Sequence, residues 1–368
     1  MKPIGIYIHI PFCDGKCPYC DFYSVSVDQE KMDIYTQAVC DNIKAWSSKI
    51  SRPANTLYLG GGTPSLLGEE RIIKIVQTAR QHFLAQNSEI TMEVNPTKGK
   101  NLDFHALRQC GINRLSVGLQ SANNNELKLL GRKHSPQDAA NTVSLAQSAG
   151  FNNISLDLML GVQEQTEQSL LNSINFCNEL NIQHISAYML KIEENTPYYK
   201  NLNKMVLPDE DEQSRLYLLA CSRLEELGFN QYEISNFAKP GKESKHNLKY
   251  WNIDEYIGIG PAAHSFIDGK RFYYPRSIQD FIDGAKPIID GVGGDEQEYA
   301  IMQLRLSSGL RNSQFKEKFG YNIPKQYFKY CSLLEKNHFI EFSDEYIRLT
   351  PQGFLVSNEI ISKIILNS

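Results

Sequence analysis

The first 235 residues of this 368-residue chain alternate short apolar runs with longer segments of helical periodicity. Repeated strand–helix units predict a parallel sheet, because parallel strands need a crossover helix between them. About six such units suit a barrel or partial barrel, and an open doubly wound sheet is the alternative. The predicted strands span 4–10, 56–60, 88–94, 113–119, 153–159, 183–190 and 229–234, and the predicted helices span 29–48, 69–84, 103–110, 136–149, 166–180 and 209–227.

Most of these predicted strands have one apolar and one polar face. In the first strand, for example, Ile6 and Ile8 alternate with Tyr7 and His9. Side chains of a strand point alternately to its two sides, so the apolar sets are expected to pack on helices and the polar sets to face a barrel lumen. An antiparallel sheet with one solvated face would show the same alternation. The polar residues expected in the lumen are Tyr7, His9, Glu93, Arg114, Gln120, Asp157 and Tyr188.

Two further regions follow the predicted barrel domain at residues 1–235. Residues 236–290 show no regular periodicity and are predicted to be a connecting segment. Residues 291–368 combine helical patterns with a short apolar alternation at 338–349, which predicts a small helical, winged-helix-like domain. Its predicted helices span 295–307, 313–319, 324–336 and 351–366.

Composition excludes several classes of protein. Lys and Arg total 38 and Asp and Glu total 42, a net charge of −4, which argues against a nucleic-acid binder. No apolar stretch reaches the roughly 18 residues that a membrane-spanning helix needs. The first residues lack the pattern of a signal peptide, so we expect a cytoplasmic protein without an intrinsic membrane anchor.

Three of the eight cysteines, Cys13, Cys17 and Cys20, form a C-x3-C-x2-C cluster directly after the first predicted strand. This is the carboxyl end of the strand, where barrel active sites lie. Clustered cysteines in an intracellular chain usually bind metal. A zinc site would need a fourth ligand, for which His9 is the candidate. Three thiolates can instead hold an iron–sulfur cluster with one iron open, and the position favours this interpretation. The outlying cysteines are predicted core residues: Cys40, Cys110, Cys177, Cys221 and Cys331.

The cysteine spacing, with Tyr19 just before the last cysteine, resembles the signature of radical S-adenosylmethionine (SAM) proteins. The resemblance implies a [4Fe–4S] cluster bound by Cys13, Cys17 and Cys20, with SAM on the open iron. It also implies a partial (βα)6-type radical SAM barrel followed by the small C-terminal domain.

Further motifs resemble the group of oxygen-independent coproporphyrinogen III oxidases across nearly the whole chain. They are GGGTP at 60–64, MEVNP at 92–96, RLSVGLQS at 114–121, Gly131-Arg132, DLMLG at 157–161 and GIGPAA at 258–263. For Glu93 the alternative role is a salt bridge to Arg114. The SAM-binding residues implied by the resemblance are Tyr7, Tyr19, Gly61, Gly62, Thr63, Glu93, Gln120, Arg132 and Asp157.

Phe22 occupies the position at which the oxidases carry a fourth cysteine. In this respect the chain resembles the HemW group, whose members bind heme and deliver it to other proteins. The segment HNLKYW at 246–251 resembles the heme-binding motif of that group and implies His246 as a heme ligand, with Tyr250 and Trp251 stacking on the porphyrin.

The expected function is that of a heme chaperone, with heme and heme-accepting proteins, respiratory enzymes among them, as partners. Anaerobic decarboxylation of coproporphyrinogen III is the alternative. Whether SAM is cleaved, and whether the chain forms a homodimer, is left open by the sequence.

Overall fold

The computed structural model describes residues 2–96 and 102–366 of the chain. Its strands are β1 (Ile4–Ile10), β2 (Ala54–Gly61), β3 (Leu84–Val94), β4 (Arg114–Gln120), β5 (Ile154–Leu160), β6 (His184–Met189), β7 (Asn230–Glu233), β8 (Asn236–Ala238), β9 (Tyr256–Ile259), β10 (His264–Ile267), β11 (Lys270–Tyr273), β12 (Ile288–Val292), β13 (Leu310–Arg311), β14 (Ile340–Ser343) and β15 (Tyr346–Leu349).

The α-helices are α1 (Gln29–Lys49), α2 (Glu69–His82), α3 (Phe104–Cys110), α4 (Asn124–Leu129), α5 (Pro136–Ser148), α6 (Glu167–Glu179), α7 (Pro197–Lys200), α8 (Glu210–Glu226), α9 (Lys245–Trp251), α10 (Ile278–Ile282), α11 (Glu296–Gln303), α12 (Asn312–Phe319), α13 (Cys331–Lys336), α14 (Pro351–Leu355) and α15 (Ser357–Ile361). In the part of the chain that the structure describes, no helix is both long enough and apolar enough to cross a membrane.

One twelve-stranded sheet organises the fold, in the order β12-β11-β10-β9-β1-β2-β3-β4-β5-β6-β8-β7. Strands β1 to β6 pair in parallel in sequence order, with helices between them. The predicted α/β fold with a parallel sheet is therefore confirmed, and the alternative of an antiparallel sheet is wrong for these strands. Polar side chains of β2 to β6 line one cavity, as expected of a partial barrel.

The alternation seen in the sequence explains how this sheet packs. Ile6 and Ile8 of β1 are fully buried in the main hydrophobic cluster, together with Met32 and Val39 of α1. Asp28 begins α1, because its carboxylate accepts a hydrogen bond from the Lys31 amide and satisfies an unpaired donor of the first turn. The apolar face of each strand is thus covered by helices, and the opposite face is left for polar side chains.

Residues 236–290 differ from the predicted connecting segment. They supply strands to both ends of the central sheet: β8 pairs antiparallel with β6, and β9 pairs parallel with β1. Strands β10, β11 and β12 continue the sheet beyond β9. These strands have three to five residues each, too few for an alternating pattern to stand out from the sequence.

The C-terminal region contains a three-stranded sheet in the order β13-β15-β14, surrounded by short helices. The hairpin of β14 and β15 lies where the apolar alternation predicts strands. The predicted helix at 324–336 is broken into a 3-10 turn at Lys325–Phe328 and α13. The predicted helix at 351–366 is also broken, because Val356 leaves helical geometry between α14 and α15.

Helix α9 is held at its start by the barrel and at its end by the C-terminal region. At the start of α9, the Glu89 carboxylate of β3 accepts hydrogen bonds from the backbone amides of Lys245 and His246. At its end, the Lys318 ammonium donates to the carbonyls of Asn252 and Ile253, at 3.2 and 3.3 Å. The backbone groups at both ends of this short helix are therefore satisfied by side chains from other parts of the fold.

Candidate cofactor-binding site

The polar faces of the parallel strands and the loops that follow them enclose a cavity of about 420 Å³, here called the lumen cavity. From the strands, it is lined by Tyr58, Glu93, Arg114, Ser116, Gln120, Asp157, Ser186 and Tyr188. From the loops, it is lined by Cys13, Cys17, Tyr19, Cys20, Gly61, Gly62, Thr63 and Arg132. Every residue that the resemblance assigns to the cluster or to SAM, except Tyr7, therefore meets at one cavity.

The cysteine loop lies at this cavity and carries three free, partly buried thiols. Its backbone is fixed by a hydrogen bond from the Cys13 amide to the Val25 carbonyl (2.9 Å) and by a turn from the Cys20 amide to the Cys17 carbonyl (3.1 Å). Burial raises the pKa of the Cys13 and Cys20 thiols. Binding a metal cluster would deprotonate them, because the thiolate is the ligand.

The alternative of a zinc site completed by His9 does not fit this geometry. The His9 ring is hydrogen-bonded at Nε2 to the Tyr23 carbonyl (2.9 Å) and at Nδ1 to the Tyr7 hydroxyl (3.0 Å). No group of three or more His, Cys, Asp or Glu side chains surrounds a single metal position within residues 2–96 and 102–366. The three thiols fit an iron–sulfur cluster better, since each cysteine then ligates a different iron atom.

Two glycines at the end of β2, Gly61 and Gly62, line the cavity wall. Gly61 has a φ of 118°, which a residue with a side chain rarely adopts. A Cβ atom on Gly62 would lie 2.7 Å from the carbonyl oxygen of Phe12. A side chain on Gly61 would likewise clash with the His9 ring, so this part of the cavity wall can pack as it does only because both residues are glycines.

Glu93 is held by the neighbouring strand and by the glycine segment. Its carboxylate accepts hydrogen bonds from the Tyr58 hydroxyl (3.0 Å) and from the Gly61 amide (3.1 Å). Burial, and next the charge of Asp157, raise its pKa to about 7. Among the described residues it forms no ion pair with Arg114, so the alternative role of a salt bridge is wrong.

Two cationic side chains, Arg114 and Arg132, line the same cavity as these carboxylates. Arg114 is 2% exposed, and within the described part of the chain its Nε has no hydrogen-bond partner. Arg132 donates from Nη1 to Asn95 Oδ1 (3.3 Å), and its guanidinium lies 5.8 Å from the ring centre of Tyr19. Gln120 adopts a φ of 70°, a strained backbone conformation of the kind that accumulates at functional sites.

These residues fit SAM and an iron–sulfur cluster. SAM carries positive charge, a carboxylate and an adenine ring, and the cavity offers the carboxylates of Glu93 and Asp157, the guanidinium of Arg132 and the aromatic ring of Tyr19. The three thiols beside them would hold the cluster, which supplies one-electron chemistry on SAM when bound. The side chains of the cavity would bind and orient these ligands and exclude water from them.

Tyr7 and His9, both expected in the lumen, and His246 do not line the lumen cavity in the described structure. His246 is 1% exposed, and its ring is hydrogen-bonded at Nδ1 to Thr56 Oγ1 and at Nε2 to Tyr250 Oη, both at 2.8 Å. Burial lowers its pKa to about 3, so the imidazole is neutral. Both ring nitrogens are thus engaged in hydrogen bonds in this structure, and the role of His246 as a heme ligand stays a prediction.

Tyr58 and Asn95 line the lumen cavity but are not among the site residues predicted from the sequence. Tyr58 alternates with Leu57 and Leu59 in β2, so the alternation of polar and apolar residues predicts its side chain in the lumen, as it does for the other strands. Asn95 directly follows β3 and donates to Thr63 Oγ1 at 2.9 Å. It lies within the MEVNP motif at 92–96, but only the structure shows that its side chain is hydrogen-bonded to both Thr63 and Arg132.

The raised pKa of Glu93 predicts a pH-dependent stability. The folded state, with a pKa of about 7, binds the proton more tightly than the unfolded state, with the ordinary value of 4.5. The stabilisation is complete below the unfolded value and is lost as pH rises through the folded value. Without cofactors, the wild type should therefore lose free energy of unfolding relative to Glu93→Gln over this interval, by up to about 1.4 kcal/mol per pH unit. Denaturant titrations of both proteins across the interval measure the difference, and parallel profiles would contradict the assignment.

Comparisons with known proteins agree with the site. A model of the radical SAM superfamily matches residues 7–177, and a model of the HemN C-terminal domain matches residues 297–356. A solved structure of coproporphyrinogen III oxidase (HemN) from Escherichia coli, described as a radical SAM enzyme, aligns with 100% of this chain and 91% of its own, with a TM-score of 0.84 and 21% identity. At that identity the match shows a shared fold alone.

Curated relatives are more similar in sequence. The heme chaperone HemW of Bacillus subtilis (strain 168) is 35% identical, over 96% of this chain and 97% of the relative. The heme chaperone HemW of Escherichia coli (strain K12) is 40% identical, over 77% of each chain. The radical SAM match implies a [4Fe–4S] cluster and SAM as cofactors. Fold, site and relatives together show that the chain belongs to the HemW family of the radical SAM superfamily.

Proposed function

We propose that the chain is a heme chaperone, which binds heme and passes it to heme-accepting proteins. In this proposal Cys13, Cys17 and Cys20 hold the [4Fe–4S] cluster, and SAM occupies the lumen cavity. The observation that carries the proposal is the similarity to relatives named heme chaperone HemW, at 31–40% identity over 77–100% of this chain. Respiratory enzymes are a class of acceptor that would need such delivery.

Phe22, two residues after Cys20, supports this function over decarboxylation. Phe22 is 66% exposed and lines the lumen cavity beside Cys20. It stands where the oxidase group carries a fourth cysteine, and a benzyl side chain can neither ligate iron nor carry a proton or an electron pair. The cavity therefore keeps the groups suited to a cluster and SAM, but lacks the thiol that distinguishes the oxidases.

The proposal predicts that the purified, anaerobically reconstituted protein takes up about one heme per chain and transfers it to apomyoglobin, a generic heme acceptor. The Soret absorption of the heme measures both steps, because it shifts with the axial ligand. A chain that binds no heme, and that converts coproporphyrinogen III to protoporphyrinogen with SAM and a reductant, would show the decarboxylase function instead.

A further inference from the structure

A row of hydrogen bonds follows the wall of the lumen cavity and ends at the cysteine loop. Arg132 Nη1 donates to Asn95 Oδ1 (3.3 Å), and Asn95 Nδ2 donates to Thr63 Oγ1 (2.9 Å). Thr63 Oγ1 donates in turn to Cys13 Sγ, at 3.8 Å. These four side chains, here called the Asn95 network, connect a residue implied in SAM binding with a residue implied in holding the cluster.

The amide of Asn95 sets the direction of these bonds. An asparagine oxygen accepts hydrogen bonds and its amide nitrogen donates them, whereas a guanidinium only donates. The contact with Arg132 therefore assigns Oδ1 to that side of the amide and Nδ2 to the side of Thr63. The Thr63 hydroxyl accepts from Nδ2, so its one proton is left for Cys13 Sγ.

Thr63 has no other use for its hydroxyl in the part of the chain that the structure describes. The residue stands immediately before the 3-10 turn Pro64–Leu67, where a threonine hydroxyl commonly accepts from a backbone amide of the turn, but its side chain makes no such bond. Its own amide donates to the Phe12 carbonyl at 2.8 Å, which fixes it against the cysteine loop. Thr63 is 3% exposed, so bulk water has little access to the hydroxyl.

Asn95 is held in place by its surroundings. It directly follows β3 and precedes Pro96, which restricts its backbone to extended conformations. Its side chain lies over Gly118 of β4, where a Cβ atom would be 3.0 Å from Asn95 Oδ1, closer than ordinary van der Waals contact. The amide is therefore confined between β4, Thr63 and Arg132.

The protonation state of Cys13 decides what the Thr63 hydroxyl does for it. As a thiol, Cys13 donates to the Gly15 carbonyl at 3.3 Å. A thiolate that ligates iron has no proton to donate and can only accept. A hydrogen bond from Thr63 then stabilises negative charge on the sulfur. Hydrogen bonds to the sulfurs are among the factors that set the reduction potential of an iron–sulfur cluster.

From this geometry we propose that Asn95 is a positioning residue for the cluster: it turns the Thr63 hydroxyl toward Cys13 Sγ and thereby raises the reduction potential of the cluster. The inference rests on the proposed function only where that function assigns the cluster to the cysteine loop, and heme does not enter it. An aliphatic side chain in place of Asn95 would leave the hydroxyl free to donate elsewhere, and the sulfur would lose its donor.

The test is a redox titration of the full-length, anaerobically reconstituted protein without SAM or heme, read by electron paramagnetic resonance of the reduced cluster. Dithionite supplies the one electron that each cluster takes up. Thr63→Val and Asn95→Leu should each lower the ratio of reduced to oxidised cluster about tenfold at a fixed solution potential, a shift of about 59 mV. Thr63→Ser, which restores the hydroxyl, should restore the wild-type potential. The double variant Thr63→Val, Asn95→Leu should shift no further than Thr63→Val, because both changes act through one bond.

Asn113→Leu is the matched control. Asn113 is also half-buried and uses both ends of its amide, accepting from the Ile90 amide (2.9 Å) and donating to the Ser88 carbonyl (2.8 Å). It does not line the lumen cavity in the described structure, so its variant should keep the wild-type potential. An equal shift there would show a general effect of losing a half-buried amide and would overturn the inference. If Asn95→Leu assembles too little cluster to measure, Asn95→Ala, which needs no additional space, carries the same expectation.

The outcomes separate this inference from the proposed function. A wild-type potential in Thr63→Val or in Asn95→Leu would overturn the inference and leave the chaperone function standing. A double variant whose shift is the sum of the two single shifts would also overturn it, because Asn95 would then act independently of Thr63. A wild type that assembles no cluster would overturn both, whereas a cluster-loaded wild type that binds no heme would overturn the proposed function alone.

Discussion

Cys17→Ser is expected to abolish assembly of the iron–sulfur cluster. The lumen cavity brings together three thiols on one loop, and a serine hydroxyl does not ionise at neutral pH as a thiol ligand does. The other five cysteines are buried and outside the cavity lining, so within the described structure none can replace the lost ligand. After anaerobic reconstitution, iron and sulfide analysis should give about four of each per wild-type chain and less than about one in the variant.

Cys110→Ala is the control for this result. Cys110 lies at the end of α3, is buried and donates to the Leu107 carbonyl at 3.1 Å. Its loss removes one thiol from the chain without touching the cavity, so the iron content should equal that of the wild type. Retention of about four irons in Cys17→Ser would show that the three cysteines do not hold the cluster.

Glu93→Gln is expected to weaken SAM binding about tenfold to a hundredfold. The carboxylate lines the cavity and can accept a hydrogen bond from a cationic group such as the SAM amino group. Charge-assisted hydrogen bonds contribute roughly 1.5–3 kcal/mol, which corresponds to this range of affinity. Glutamine preserves the size of the side chain but removes its charge. Equilibrium dialysis of SAM against the cluster-loaded protein measures the change.

Glu233→Gln is the matched control for that measurement. Burial raises the pKa of Glu233 to about 7, as it does for Glu93, but Glu233 lines a neighbouring cavity of about 570 Å³ and not the lumen cavity in the described structure. Its substitution should leave SAM affinity unchanged. Equal losses in the two variants would indicate a general effect of removing a buried carboxylate, and would contradict a contact between Glu93 and SAM.

Much of the lumen cavity could be predicted because it depends on local rules. Alternation along β3 and β5 places Glu93 and Asp157 on the face opposite the apolar side chains, whatever the rest of the chain does. The cysteine loop follows β1 directly, so its position at the carboxyl edge of the sheet also follows from order along the chain. Parallel pairing then brings these edges together.

The environment of His246 could not be predicted in this way. Its hydrogen bonds reach Thr56, 190 residues away in the sequence, and they depend on α9 closing against β2. The lysines around it suggest an exposed segment, yet Lys249 is itself buried and donates to the Pro3 carbonyl at 3.0 Å. Such contacts between distant segments leave no periodic pattern in the sequence.

Tyr188 and Asn247 line both the lumen cavity and a neighbouring cavity of about 570 Å³, and this shared wall has a thermodynamic consequence. If filling one cavity moves these side chains, the free energy of filling the other changes with them. Such coupling is reciprocal: any factor by which SAM alters the affinity for a ligand of the neighbouring cavity must equal the factor by which that ligand alters the affinity for SAM. Through these two side chains, the affinity of one cavity for its ligand would then depend on the concentration of the ligand of the other.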